Sequence, residues 1–434
     1  MLLDTKLLRQ KVLDLAIKGQ LVPQLDSDEP AIHIIERICK KRNTKPTKLL
    51  SAPIEYDLPK GWVQSCIGDL FKLQSGKFIK GSEINDSISS NAPYACYGGN
   101  GIRGYVSTFN RDGAYPLLGR VGALCGNIKL AKGKFYATDN VTVVDHFNEL
   151  DDKWVCYAFE TLNLKQYANA TAQPCISSGN LKNVPIYIPP LEEQKRIVAK
   201  VEEIFAELDA IDKAYSELEQ LSTLSKSKIL DLAIKGQLVP QLDSEPAVEQ
   251  IGKAPEDVPF EIPAKWKWLY LSNVGRWKSG GTPDRSKHEY YDNGNIPWLK
   301  TGDLNDGFID SVEECITQLG LDNSSAHINP IGSVLIAMYG ATIGKLGILN
   351  IPCATNQACC ACVTEDKIIF NKFLFFYLLS QRRHLVALGA GSGQPNISKT
   401  KIINYPIPLP PLEEQKRIVA KVEELFALID AMKK

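Results

Sequence analysis

Apolar residues recur at Ile197, Val201, Ile204, Leu208, Ile211, Tyr215 and Leu218, four and three positions apart in strict alternation. That spacing keeps one face of a helix apolar for about three heptads, the pattern of a coiled-coil seam. Pro189 and Pro190 followed by Glu192 and Glu193 mark its start. Proline needs no partner for its nitrogen in a first helical turn, and acids there meet the positive end of the helix dipole. The pattern loosens at Ser222 and Ser225, resumes at Ile229 and Leu232, and stops near Gly236 and Pro240. An unbroken helix of about 45 residues would run on the order of 70 Å. A second seam follows at Ile418, Val422, Leu425, Ile429 and Met432, and the N-terminal segment offers Leu8, Val12 and Leu15 before Gly19 and Pro23. A lone amphipathic helix has nowhere to bury such a face, so each copy is expected to pack on the other, antiparallel.

Between the helical stretches the pattern changes to short alternating or β-branched runs broken by Gly, Asn and Pro: NVTVV at 140–144, PIYIP at 185–189, VLIAMYG at 334–340 and KLGIL at 345–349. These read as strands of two small mixed α/β domains, each with one helical run before a Gln-Pro pair. FLFFYLL at 373–379 reads as part of a buried helix, and no apolar run approaches the length of a membrane span.

Two blocks repeat without mismatch: PPLEEQKRIVAKVEE at 189–203 and 410–424, and LDLAIKGQLVPQLDS at 13–27 and 230–244. In mid-chain the first block runs into the second, whereas at the ends the second opens the chain and the first closes it. This is the order of a closed two-fold object cut open once, with Met1 and Lys434 expected to be neighbours. The globular blocks are diverged cousins. Leu58-Pro59-Lys60-Gly61-Trp62 corresponds to Ile262-Pro263-Ala264-Lys265-Trp266, and Gly122-Ala123-Leu124-Cys125-Gly126 to Gly340-Ala341-Thr342-Ile343-Gly344. Ala137-Thr138-Asp139-Asn140 is matched to Ala354-Thr355-Asn356-Gln357, and Gln173-Pro174-Cys175-Ile176-Ser177 to Gln394-Pro395-Asn396-Ile397-Ser398.

The formal net charge of zero hides a division. Residues 60–188 and 262–408 each carry +3, while 189–261 carry −8. An anionic partner would meet the globular blocks, and the acidic connector faces protein. The opening MLLDTKLLRQKVLDLA mixes acids and bases through an amphipathic pattern and does not read as a signal peptide, so a cytoplasmic location is expected. Eleven cysteines fit a reduced interior, and the cluster Cys353, Cys359, Cys360, Cys362, with no histidine close by in sequence, reads as a buried strand rather than a metal site.

Catalytic chemistry is hard to find. A base-methylating enzyme needs a glycine-rich cofactor loop and an Asn/Asp-Pro-Pro-aromatic pocket, but the two Pro-Pro pairs follow Ile188 and Leu409. Pro283-Asp284 and Glu289 lack the lysine a nuclease site would need, because Tyr290 and Tyr291 follow. No Walker lysine motif exists, and the five histidines have no ligand spacing.

The repeated blocks and their circular order resemble the specificity subunits of Type I restriction-modification enzymes. The resemblance covers the whole chain: a half-repeat (1–59), a first target-recognition domain (60–188), a central helical spacer (189–248), a linker with the second recognition domain (249–408), and the closing helix (409–434). It implies an α+β architecture in which two small mixed α/β domains are separated by a pair of long antiparallel coiled-coil helices, pseudo-two-fold and circularly arranged. It further implies a non-catalytic subunit that reads double-stranded DNA and holds two methylase subunits, with two restriction subunits joining in the complete enzyme. No cofactor would be bound by this chain; S-adenosylmethionine, ATP and magnesium would belong to the partner subunits.

DNA contact is expected from glycine-rich loops that carry base-capable side chains, since Lys and Arg neutralise phosphate or pair with guanine and Gln and Asn address adenine. In the first domain these are Gln74, Lys77, Lys80, Arg103, Arg120, Gln173 and Asn180. In the second they are Lys278, Thr282, Arg285, Lys287, Lys300, Thr301, Tyr339, Gln394, Asn396 and Lys399. A solvated surface charge or a structural turn is the competing reading for each. Trp62, Trp266 and Trp298 are expected in the core.

Overall fold

Six helices of ten or more residues organise the described chain: α1 (Thr5–Ile17), α2 (Ile32–Arg42), α3 (Asp152–Thr161), α4 (Leu191–Ile234), α5 (Asn371–Leu388) and α6 (Leu412–Ala431). The computed structural model describes residues 3–45, 58–169, 174–389 and 396–433. Met1, Lys434, Gln173, Gln394 and Ser392 lie outside them. The chain divides into two units, Met1–Tyr215 and Ser216–Lys434, and the division falls inside the 44-residue α4.

In the first unit, the Asp4 carboxylate accepts the Leu7 N–H at 2.9 Å and so starts α1, which gives way to Gly19 at φ +67°. Thr5 Oγ1 donates to Asp212 at 2.8 Å, Arg9 Nη2 to Asp209 at 2.7 Å, and Gln24 to Glu193 at 2.9 Å. As numbers rise on one side they fall on the other, so α1 runs antiparallel to the N-terminal half of α4. Leu13 and Ala16 join Ile197 and Val201 in the core. The expected seam residue Leu15 is 41% exposed instead. The helix also packs against α3, and its buried face is shifted by one residue, about 100°, from the heptad line.

Two four-stranded sheets follow. The order of one is Lys72–Ser75, Val141–Asp145, Tyr115–Gly119, Ile128–Ala131; that of the other is Gly101–Val106, Tyr94–Gly98, Lys134–Ala137, Arg111–Asp112. Leu117, Phe135, Val141 and Val143 form a small core, while Phe71, Trp154 and Phe159 join the helices in the larger one. Pro185–Ile188 pairs antiparallel with Val63–Cys66, which brings the end of the domain beside its beginning and delivers the chain to α4.

The second unit repeats this plan with a five-stranded sheet, Gly275–Ser279, Cys359–Thr364, Val334–Ala337, Leu346–Leu349, Gly307–Ile309, and a four-stranded one. Lys267–Tyr270 pairs with Pro406–Leu409 ahead of α6. Lys226 meets Asp430 at 2.6 Å, Gln241 meets Glu414, and Arg417 meets Glu245 at 2.8 Å, so α6 runs antiparallel to the C-terminal half of α4. Leu230, Ala233 and Ile234 share a core with Ile418, Val419 and Val422.

Each closing block packs antiparallel on a copy of the opening block within its own unit, as expected of the repeated seams. The alignment of the 137–140 anchor is corrected by one residue. Thr138 N donates to Tyr97 O as Asn356 N donates to Leu299 O, and Arg120 N to Asn140 O as Met338 N to Ala358 O. Backbone register therefore sets Ala137 opposite Thr355, although residue identity favours Ala354.

Each unit fastens its globular block to the helix by the same contacts. The indole N–H of Trp62 donates to Glu193 Oε2 at 3.0 Å, and that of Trp266 to Glu414 Oε2 at 3.0 Å. Gln194 Oε1 accepts the Asp151 N–H at 2.9 Å, and Gln415 Oε1 the Phe370 N–H at 2.8 Å. Lys153 reaches Glu202 and Lys372 reaches Glu423, while Tyr157 and Phe205 meet edge to face as do Phe376 and Phe426. Glu193, Gln194, Glu414 and Gln415 are fully buried. Burial raises both carboxyls from their ordinary value against the opposing pull of these hydrogen bonds.

Candidate nucleic-acid interface

In the first unit the loop after Lys72–Ser75 is fixed by backbone. Gly76 N donates to Val141 O at 3.0 Å and Lys77 N to Ala137 O at 2.9 Å. A Cβ on Gly76 would lie 2.2 Å from Thr138 O, so only glycine allows this approach. Gln74 stands on the strand opposite Val143, and Arg120 Nη1 donates to Ser75 Oγ at 3.1 Å, which gathers Gln74, Lys77 and Arg120 at one end of the sheet. Arg103 lines an open cavity of about 560 Å³ with Gly98, Asn100, Val121 and Asn140, and the Asn140 carbonyl accepts the Arg120 N–H at 2.9 Å. Lys80 is exposed where the short turn Gly81–Glu83 begins, two residues after the 71% exposed Phe78. Lys77, Lys80 and Arg103 form no side-chain ion pair among the described residues. Asn180 stands apart: its amide donates to Tyr167 O at 2.9 Å and to Asn169 Oδ1 at 3.2 Å. Gln173 lies outside the described residues.

The corresponding loop of the second unit carries different chemistry on the same framework. Gly280 N donates to Cys359 O at 3.0 Å and Gly281 N to Thr355 O at 2.9 Å. Lys278 is exposed on the strand before it, and Thr282 Oγ1 donates to the Gln357 side chain. Arg285 and Lys300 share one carboxylate, Glu314, with Lys300 at 2.7 Å. The Arg285 guanidinium also lies 4.5 Å from the Tyr291 ring centre and 4.8 Å from that of Trp298. Burial alone would raise the Glu314 carboxyl, but hydrogen bonds from both cations outweigh it and hold the group below its ordinary value, while Arg285 and Lys300 are raised by the same bonds. Lys287 donates to the Tyr290 hydroxyl at 3.0 Å, and Thr301 opens the short turn next to Lys300. Tyr339 and Asn396 meet as an isolated antiparallel bridge, with Lys399 at the start of Lys399–Ile403. Gln394 lies outside the described residues.

Sequence reasoning missed Asn140, Phe78 and Glu314. Asn140 stood within a repeated anchor, a usable signal. Glu314 sits in an acidic run that says nothing about a partner 29 positions away. Trp62, Trp266 and Trp298 are buried as expected. Cys353, Cys359, Cys360 and Cys362 are buried too, and burial pushes the Cys353 and Cys360 thiols up to about 12.

A family model described as the Type I restriction modification DNA specificity domain matches residues 59–220 and again 263–434. The chain belongs to this family. The Type I restriction enzyme EcoprrI specificity subunit of Escherichia coli is 34% identical over 157 residues, which is 36% of this chain and 38% of that protein, so the match spans well under half of that relative. The EcoAI specificity subunit of Escherichia coli is 23% identical across 99% of this chain and 90% of that protein. Among solved structures, a chain from work on complex assembly and conformational transition of the type I R-M system covers 87% of this chain and 93% of its own length, with a TM-score of 0.56 at 21% identity. That likeness is one of fold. As a Type I specificity subunit, the chain has two specificity domains and a long helix between them, and among its described residues no helix is long and apolar enough to cross a membrane.

Proposed function

We propose that the two domains read the two halves of a bipartite double-stranded DNA target, and that the helices hold two methylase subunits, with two restriction subunits added in the complete enzyme. In this reading S-adenosylmethionine, ATP and magnesium belong to those partners, and the chain supplies only the address. The observation that carries it is the loop pair at Gly76 and Gly280. One backbone framework is kept in both units while the side chains it presents change, from Gln74, Lys77 and Arg120 to Lys278, Thr282 and the Arg285–Glu314–Lys300 cluster. Phosphate contacts position a protein and base contacts specify sequence, so a fixed frame with variable side chains suits two different half-sites. The helices leave Leu7, Leu221, Leu224 and Leu428 exposed, with Leu3 and Met432 just beyond their ends, apolar positions suited to a protein partner.

Replacing residues 60–188 by another recognition domain tests the reading. Methylation mapping of the assembled enzyme should show one half-site changed and the other kept. A swap that altered both halves, or neither, would overturn independent readout.

A further inference from the structure

The perfect repeats invite an explanation beyond a shared docking face for identical partners. Their buried polar members, Glu193, Gln194, Glu414 and Gln415, point inward. Glu193 accepts the Trp62 indole on one oxygen and the Gln24 amide on the other. Glu414 does the same with Trp266 and Gln241. Each carboxylate thus ties three pieces of one unit together: the start of a helix, the loop that ends an opening block, and the first tryptophan of a recognition domain. The next residue, Gln194 or Gln415, accepts a backbone N–H at the start of α3 or α5 and returns its own amide to Pro189 O or Pro410 O at 2.9 Å. Arg196 and Arg417 clamp the opening-block side through Asp28 at 2.6 Å and Glu245 at 2.8 Å.

We infer that Glu193 and Glu414 are positioning residues that set the angle and height of each recognition domain on its helix, and hence the spacing at which the half-sites are read. The inference rests on the DNA-reading function proposed above. A hydrogen bond has a direction as well as a strength, and a buried acceptor filled from two sides allows little rotation. Apolar packing around it tolerates small slides that these bonds do not. Base readout in turn tolerates little displacement, because a constellation misplaced by about 1 Å loses on the order of a hundredfold in rate.

The test uses the full chain assembled with its methylase subunits and a series of targets whose central spacer is one base pair shorter, native or one longer. The wild type should methylate the native spacer strongly over the others. Glu193→Ala and Glu414→Ala should each lower that preference by about tenfold while the bases read in each half-site stay the same, and Glu193→Gln, which keeps one acceptor oxygen for the Trp62 indole but sets an NH2 against the donating Gln24 amide, should restore it in part. A residue that only adds stability would lower the melting point and total activity without changing the ratio between spacers. Trp62→Phe removes the donor together with part of a buried ring, leaves Glu193 in place, and replaces the alanine variant should that variant fail to fold. Exchange of the Trp62 and Trp266 indole hydrogens, followed by NMR, reports on the joints with no DNA present. Fast indole exchange beside an unchanged spacer preference would overturn the inference. A wild type indifferent to spacer length would overturn the bipartite reading itself, and protected indoles in that case would leave the joint as a structural clasp without a positioning role.

Discussion

The guanidinium of Arg285 lies 4.8 Å from the ring centre of Trp298, a buried indole whose own N–H donates to Gly281 O at 2.9 Å. The cation is thereby held by an aromatic wall that is itself pinned to the glycine loop, and Glu314 fixes it from another side. A pre-set guanidinium is a good reader of guanine, because little rotamer freedom is left to lose. Arg285→Ala should weaken target binding by about 1–3 kcal/mol and relax discrimination at one base pair. Arg285→Lys should not rescue it, since lysine cannot form the bidentate fork. Titrations against single-base variants of the target decide the matter: equal weakening on every sequence would make Arg285 a phosphate ligand.

Lys77, Lys80 and Arg103 carry no internal counter-charge among the described residues, unlike Arg285 and Lys300. Neutralising all three should weaken DNA binding and reduce the salt slope by about one for each phosphate that is no longer neutralised, while methylase binding survives. Binding isotherms at several salt concentrations give the slope. Loss of the methylase partner with DNA affinity intact would mean that this face meets protein.

Gly19 and Gly236 occupy the same left-handed turn, at φ +67° and +68°. A Cβ on Gly19 would stand 2.4 Å from the Pro59 side chain and 3.1 Å from Trp62, and one on Gly236 would stand 2.4 Å from Pro263 and 3.1 Å from Trp266. Alanine at either site should destabilise its unit by about 1–3 kcal/mol. Urea unfolding of the two single variants is the measurement, and stability equal to wild type would show that the turn can open without loss.

Glu149 is bound by Arg37 at 2.6 Å and Lys41 at 2.7 Å. Burial would raise its carboxyl, but the hydrogen bonds from Lys41 and Arg37 prevail and lower it from its ordinary value. A lowered folded value means that the unfolded chain takes up the proton first, so the contribution is present above about pH 4.3 and fades as pH falls further. Glu149→Gln should therefore cost about 1–3 kcal/mol at neutral pH, with the gap to wild type closing in acid. Unfolding curves at pH 7 and pH 3.5 test this, and a gap independent of pH would assign the loss to packing.

Much of the frame was legible because it rests on local pattern. The 4-3 spacing from Ile197 to Leu218 foretold a helix of nearly the observed length, and the run at 373–379 lies within the buried α5. Runs such as NVTVV became strands because alternation and β-branching suit a pleated surface. What stayed hidden depended on distant partners. Leu15 fits the heptad, but α3 turns α1 away from it. The 137–140 anchor matched best by residue identity, whereas strand register follows backbone hydrogen bonds, which are blind to side chains. The loops at Gly76 and Gly280 were found from their glycines, but no local signal tells that Arg285 and Lys300 converge on Glu314.

The joint at Glu193 and Glu414 also bears on how such a chain changes over generations. The recognition block supplies to it one indole, one lysine, one aromatic edge and a backbone amide that any sequence possesses. Nearly all the demanding chemistry lies on the helix and the opening block. A foreign segment inserted by recombination would thus find its seat already made, and inheritance can diversify the reading surface while the mount stays the same.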